Sequence, residues 1–174
     1  GGDMIKILVD SACDLEQSDA EALGVSLLPL QIRFGEEEFL DGVTLSHRAF
    51  FEKLVETNTL PQTSQINEYR FEEAFSELTE DGSEVIAITL SSKLSGTHAC
   101  AVKAAEKFHG KVYVVDSLNA CIGERILLEY AVRLVKGGRL GAAEIAAELD
   151  EKKGKIQLLA VLDTLQYLRK GGRI

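Results

Sequence analysis

Residues 91–97, "SSKLSGT", crowd four hydroxyls, Ser91, Ser92, Ser95 and Thr97, around Gly96. A hydroxyl both donates and accepts hydrogen bonds. At a helix start it joins free backbone N–H groups and the positive end of the helix dipole. That combination suits an anion, a carboxylate or a phosphate. Gly96, lacking a Cβ, lets a ligand approach the backbone closely. Three more polar clusters accompany it: "DSACD" (10–14), "QTSQ" (62–65) and Asp116-Ser117. Capping is the plainer role, since Ser, Thr and Asp after a strand are ordinary helix starts and turn residues. A cap explains one hydroxyl of "SSKLSGT" and leaves the others for a ligand. Asp116-Ser117 stays open between the two roles.

Reactive constellations are missing. The nucleophile elbow G-x-S-x-G is absent, because "KLSGT" lacks the first glycine. His98 lies one turn from Ser95 with no evident acid partner. Neither a P-loop nor a G-x-G-x-x-G after a strand occurs. His47, His98 and His109 have no metal-site spacing, and Cys13, Cys100 and Cys121 form no C-x-x-C pair. No metal or cofactor is therefore expected. Cys100 and Cys121 are expected to pack in helices as small apolar groups, and His98 and His109 to lie on the surface or on helix faces. The site reads as built to hold rather than to react.

The elements that would position these groups alternate. Apolar runs predict strands at 5–11, 84–90, 111–117 and 156–163. Apolar spacing predicts helices at 14–24 (closed by Gly24), 46–58 (capped by Ser46), 67–78, 95–108, about 121–136 and 141–152. Residues 25–45 read as an extended hairpin turning at Gly35, with Pro29 at an edge or bulge, and "LPQTSQ" (60–65) as a loop. Repeated βα units imply a three-layer α/β/α domain with a mainly parallel sheet. Three of the polar clusters follow strands, so Asp10, Ser11, Ser91, Ser92, Ser95, Asp116 and Ser117 would line one crevice at the carboxyl edge, where open α/β sheets bind ligands.

Composition narrows the classes. The 174 residues are 45% hydrophobic, enough for one ordinary core, and carry a net charge of −9 with scattered basic residues, so nucleic acid is not an expected partner. No apolar run reaches the roughly 18–20 residues of a membrane span. With no visible leader and few cysteines, a reducing cytoplasmic location is expected. "GGD" (1–3) before Met4 reads as an extraneous remnant.

"VDSACDL", "LLPLQI", "FLDG", "PQTSQ", "SSKLSGT", "VVDS" and "DTLQYLRKGGRI" occur here in order. In that order and spacing the chain resembles the DegV family, which includes the fatty-acid-binding subunits of bacterial fatty acid kinase. The resemblance runs from Ile5 to Ile174. It implies a cytoplasmic bacterial protein, not itself an enzyme, that buries one long-chain fatty acid in an apolar tunnel between two α/β domains. A separate ATP-binding kinase subunit would then phosphorylate the presented carboxylate. Carried over by motif, Thr63 of "TSQ" and Ser95 of "LSGT" would bond the carboxylate. Ser11, Ser64, Ser92, Gly96 and Thr97 complete the candidate ligand-binding set, and Arg173 is a candidate phosphate or partner contact. The resemblance also implies a further domain on the order of 100 residues beyond Ile174, bearing a carboxylate-contacting histidine and the far tunnel wall. Without it the 4–174 domain would leave an apolar patch open to self-association. The alternative is an enzyme domain like that of dihydroxyacetone kinases, binding a small hydroxylated or phosphorylated substrate. A pure interaction domain, its strand-end hydroxyls only capping helices, is a third reading.

Overall fold

The computed structural model describes residues 4–170, with side chains through residue 156. The chain runs β1 (Ile5–Asp10), α1 (Gln17–Leu23), β2 (Ser26–Leu28), β3 (Gln31–Phe34), β4 (Glu37–Leu40), α2 (His47–Glu56) and β5 (Gln62–Ser64). It continues with α3 (Glu68–Thr79), β6 (Glu84–Thr89), α4 (Thr97–Ala105), β7 (Val112–Asp116), α5 (Cys121–Gly137) and α6 (Ala142–Lys170).

Four strands form a parallel sheet in the order β2-β1-β6-β7. Its strands are apolar on both faces, as a sheet covered on both sides requires. Ile7, Val9, Ile86, Ile88 and Val115 pack on one face with Leu127, Leu128, Ile145 and Leu149 of α5 and α6. Leu8, Val85, Ala87 and Val112 pack on the other with Phe71 and Phe75 of α3 and Ala101 and Ala104 of α4. The small residues of α4 let that helix sit close to the sheet. The expected three-layer α/β/α architecture is what forms. From β1 the chain crosses to β2 on one side and later returns to β6 on the other. The switch point lies between the carboxyl ends of β1 and β6, and a crevice opens at such a point.

The second sheet is antiparallel, β4-β3-β5, and α2 covers one of its faces. Ile32, Phe34 and Leu45 are its buried residues, packed by Phe39, Phe50 and Leu54. Lys53 of α2 lies 5.0 Å from the Phe39 ring centroid and 3.5 Å from Glu37. Its stem covers apolar surface while its charge meets solvent and an acid.

Three sequence expectations change. Of the 25–45 hairpin only β3–β4 is one, turning at Gly35 with φ +63°. Residues 26–28 instead join the main sheet as β2, because α1 carries the chain across to pair parallel with β1. Pro29 follows that strand, where its missing N–H costs no ladder bond. Within "LPQTSQ", Gln62–Ser64 forms β5 against β3. Three polar residues carry no apolar alternation, so only the pairing of β3 reveals the strand. Finally, 156–163 is not a strand: α6 runs through it to Lys170. Ala, Leu, Glu, Lys and Gln dominate this span, and one interior glycine, Gly154, costs a helix only about 1 kcal/mol.

Candidate functional site

The carboxyl edge of the parallel sheet is stitched together by its own polar side chains. Asp10, 2% exposed, accepts from Ala12 N at 2.9 Å and from Leu90 N at 2.6 Å, tying β1 to β6. Asp116 accepts from Ser92 N and Leu118 N. Burial pulls its carboxyl upward, but the bonds from Ser92 and Leu118 outweigh it and hold the group below the usual range. The Ser91 hydroxyl accepts from Lys93 N, and the Ser117 hydroxyl both accepts from Asn119 N and donates to Asn119 O. For Asp10, Ser91, Asp116 and Ser117, local turn chemistry absorbs the polar groups.

The cavity lies just beyond, past the carboxyl end of β1 and under the small sheet. Its volume is about 270 Å³. Ile32, Phe50 and Phe51 supply its apolar wall, and Ala12 and Ala120 leave room. Ser11, Asp14, Asp41, His47, Thr63 and Cys121 supply its polar margin. Thr63 faces it because it pairs with Ile32 across β3–β5, and directly opposed residues share one side of a sheet. Its neighbours Gln62 and Ser64 fall on the opposite side by the two-residue period and line a separate polar depression with Arg33 and Glu38. Ser11 is 2% exposed, and its hydroxyl accepts from Leu30 N at 2.9 Å and donates to Asp41. Burial pushes the Asp41 carboxyl above its ordinary value, opposed by that Ser11 hydroxyl and by His47.

Two contacts clamp the "TSQ" strand to the "LSGT" turn. Ile66 N donates to Thr97 Oγ1 at 3.2 Å. The Gln65 carboxamide lies so close over Gly96 that an added Cβ would land on it, and Gln65 Nε2 reaches Cys100 Sγ at 3.7 Å. Gly96 is therefore needed by a protein side chain here. Ser95 Oγ lies 2.9 Å from Thr97 Oγ1 and accepts from Thr97 N at 3.1 Å, capping α4.

A pair of buried acids sits behind the cavity. Glu124, in the first turn of α5, is fully buried, and its oxygens find no N–H or O–H donor among the described residues. The Asp10 carboxyl is the group within hydrogen-bonding reach. Two carboxylates cannot bond each other, so one holds a proton. Asp10 already accepts two backbone bonds, which suits the ionised form, so Glu124 keeps the proton. Burial first, then Asp10, Cys121 and Asp14, raise Glu124 well above the ordinary carboxyl value. Burial likewise lifts Asp10 from 3.8 to about 6, although the bonds from Glu124, Leu90 and Ala12 lower it.

Of the sequence candidates, Thr63 and Ser11 line the cavity, while Ser95, Gly96 and Thr97 lie across the clamp from Thr63. Ser64 faces away, and Thr97 is fully buried. Ser92 bonds Asp116 through both its backbone N–H and its hydroxyl. Arg173 lies outside the described residues. Cys121 departs from expectation: it is exposed on the cavity with φ +55°, because α5 begins there rather than burying it. Cys100 is half-buried, His98 is half-buried with its Nδ1 3.0 Å from Thr89 Oγ1, and His109 follows the last turn after α4. Sequence reasoning missed Asp14, Asp41, His47 and Glu124. The "FLDG" motif pointed near Asp41, but Glu124 reads in "ACIGERILL" as an ordinary exposed first-turn acid. Among the described residues no cluster suits a metal ion, and no helix is long and apolar enough to cross a membrane.

The DegV family model, a family described as uncharacterised proteins, matches residues 4–174. A DegV domain-containing protein of Clostridium perfringens is 34% identical over 173 residues, 99% of this chain and 62% of that protein. Among solved structures, DegV of Bacillus subtilis, described as a fatty acid binding protein, superposes with a TM-score of 0.79 at 29% identity, covering 88% of this chain and 55% of that one. A DegV family protein from Thermus thermophilus, whose structure concerns fatty acid binding, gives 0.76 at 31% identity, covering 86% and 53%. The chain thus spans about 60% of the length of the curated relatives it matches.

Proposed function

The chain belongs to the DegV family, and from that premise we propose that it binds a long-chain fatty acid in the cavity beneath the small sheet. One observation carries the reading. An apolar wall of Ile32, Phe50 and Phe51 meets a hydroxyl margin at Thr63, whose strand is clamped to the half-buried hydroxyl of Ser95. The acyl tail lies on the aromatic side, and the carboxylate lies toward Thr63 and Ser95. A carboxylate leaving water needs donors, or it takes up a proton. Each hydrogen bond to it contributes roughly 1.5–3 kcal/mol. Each buried methylene contributes about 0.8 kcal/mol, so the tail supplies most of the affinity. The family resemblance and the absence of a phosphate-binding loop from this sequence favour presentation of the carboxylate to a separate cytoplasmic kinase subunit.

Mass spectrometry of an organic extract from the purified protein tests this, with Thr63→Ala and Ser95→Ala alongside. Fatty acid near one per chain in the parent, reduced in both variants, is the expected result. A parent without lipid that also takes none from a palmitate-loaded vesicle overturns the reading. Lipid retained in full by both variants moves the head group elsewhere.

A further inference from the structure

We propose that Thr97, though it touches no ligand, is a positioning residue that makes Ser95 an obligate hydrogen-bond donor, so that this site selects a head group that accepts a hydrogen bond over one that can only donate. The inference rests on the fatty-acid reading above.

Protons and lone pairs fix the direction of the bond between Ser95 and Thr97. Thr97 is fully buried at the first position of α4. Its Oγ1 must accept from Ile66 N at 3.2 Å, because a backbone N–H can only donate. Its remaining neighbour is Ser95 Oγ at 2.9 Å, and one of the two hydroxyls donates to the other. Were Ser95 the donor, the Thr97 hydroxyl proton would be buried without an acceptor among the described residues, a costly arrangement. With Thr97 as donor, its buried proton is placed on Ser95 Oγ, and only the half-buried Ser95 proton remains unassigned. Ser95 Oγ then accepts from Thr97 O–H and from Thr97 N at 3.1 Å. A hydroxyl oxygen has two lone pairs, and both are now filled. Ser95, half-buried, has only its own proton left to offer.

The direction of the relay is therefore fixed: Ile66 N–H to Thr97 Oγ1, Thr97 O–H to Ser95 Oγ, Ser95 O–H outward. Successive bonds in such a chain polarise one another and strengthen the last donor. A carboxylate, which only accepts, matches it. A head group that must itself donate to Ser95 finds no free lone pair. The same chemistry serves any ionised oxygen acid, a free carboxylate or an acyl phosphate alike.

The test compares palmitate with hexadecylamine, which shares the sixteen-carbon tail but as its ammonium ion can only donate, on the wild type, Thr97→Val and Thr97→Ser. Valine keeps the shape but removes the relay, and serine keeps it. The expected result is a loss of palmitate affinity of about tenfold in Thr97→Val, with no loss for hexadecylamine, because a Ser95 lone pair is freed, and Thr97→Ser close to the wild type. Equal losses for both ligands would make Thr97 a merely structural group and overturn the inference while leaving the fatty-acid reading intact. A wild type that binds neither ligand overturns both. Should Thr97→Val not fold, proton NMR of the wild type decides. The Thr97 hydroxyl proton is expected to be protected from exchange, with that of Ser95 becoming protected only when palmitate is added. Ser95 protected in the free protein, or Thr97 unprotected, overturns the relay.

Discussion

Replacing Glu124 by glutamine should shift stability progressively in favour of the variant as pH rises. In the folded chain burial and the facing Asp10 hold the Glu124 proton in place, and its pKa is raised well above 4.5. In the unfolded chain the same group ionises near its ordinary value. The folded state thus binds a proton the unfolded state has lost, and stability falls as pH rises through this interval. The slope is about 1.4 kcal/mol per pH unit for one proton. Asp10 adds its own fall: lifted from 3.8 to about 6, it costs on the order of 3 kcal/mol across that window. Glutamine has no proton to lose and can donate permanently to Asp10. Near pH 4 the Glu124→Gln variant and the wild type should differ only by a constant offset, since a buried amide carries its own satisfaction cost of roughly 1–3 kcal/mol. From about pH 4.5 upward, the difference should move in favour of the variant at that slope. Urea unfolding at half-unit steps of pH measures it. A stability difference that stays flat with pH would show that Glu124 is not a retained proton, and the reasoning about the pair would fail.

Gly42→Ala should destabilise by about 3 kcal/mol in the same assay, because Gly42 has φ +74° and an added Cβ would stand 2.7 Å from the Leu15 carbonyl oxygen, which is backbone and cannot swing aside. A loss under about 1 kcal/mol would mean that the 41–45 loop relaxes freely. Gly96→Ala should be milder in stability, since the Gln65 side chain it displaces is exposed and flexible, but it should speed alkylation of Cys100, from which Gln65 is removed; unchanged Cys100 reactivity would argue against the clamp. Cys121, exposed on the cavity, should react with a maleimide far faster than Cys13, which is fully buried and whose thiol burial pushes strongly upward. Palmitate should protect Cys121 selectively, and labelling unaffected by saturating ligand would place the lipid elsewhere.

Three strands of the main sheet, β1, β6 and β7, were legible as short apolar runs followed by Asp or Ser, although the same signature at 156–163 belongs to helix α6. The amphipathic stripe of α3, with Phe71 and Phe75 one turn apart, was equally plain. What escaped was what only pairing decides. Gln62–Ser64 carries no apolar alternation and becomes a strand because β3 is there to bond it. Residues 26–28 join the main sheet because α1 delivers them there. At the site, residue types were a fair guide and roles were not. The hydroxyls of Ser91 and Ser117 and the carboxylate of Asp10 looked available and are consumed by neighbouring backbone. Thr97 looked like a ligand contact and is sealed behind Ser95. Glu124 gave no sign, since its burial depends on Asp10, more than a hundred positions away in the chain.

Among the described residues the small sheet rests on three buried apolar side chains, Ile32, Phe34 and Leu45, whereas the layer of α5 and α6 behind the main sheet draws on sixteen. Free energy of opening follows buried apolar surface, so a protein with this imbalance loosens piecewise, with its thinnest layer first. Here the thinnest layer carries Thr63 and faces the cavity. Exit of a ligand then requires only the loosening of β3–β5 and α2, far short of unraveling the domain, and residence time becomes a property of that layer. Additional methylenes on Ile32 or Leu45 contacts would slow release without touching the head group. On the proposed fatty-acid reading, the anchor points would hold the ligand and the thickness of this cover would time its departure.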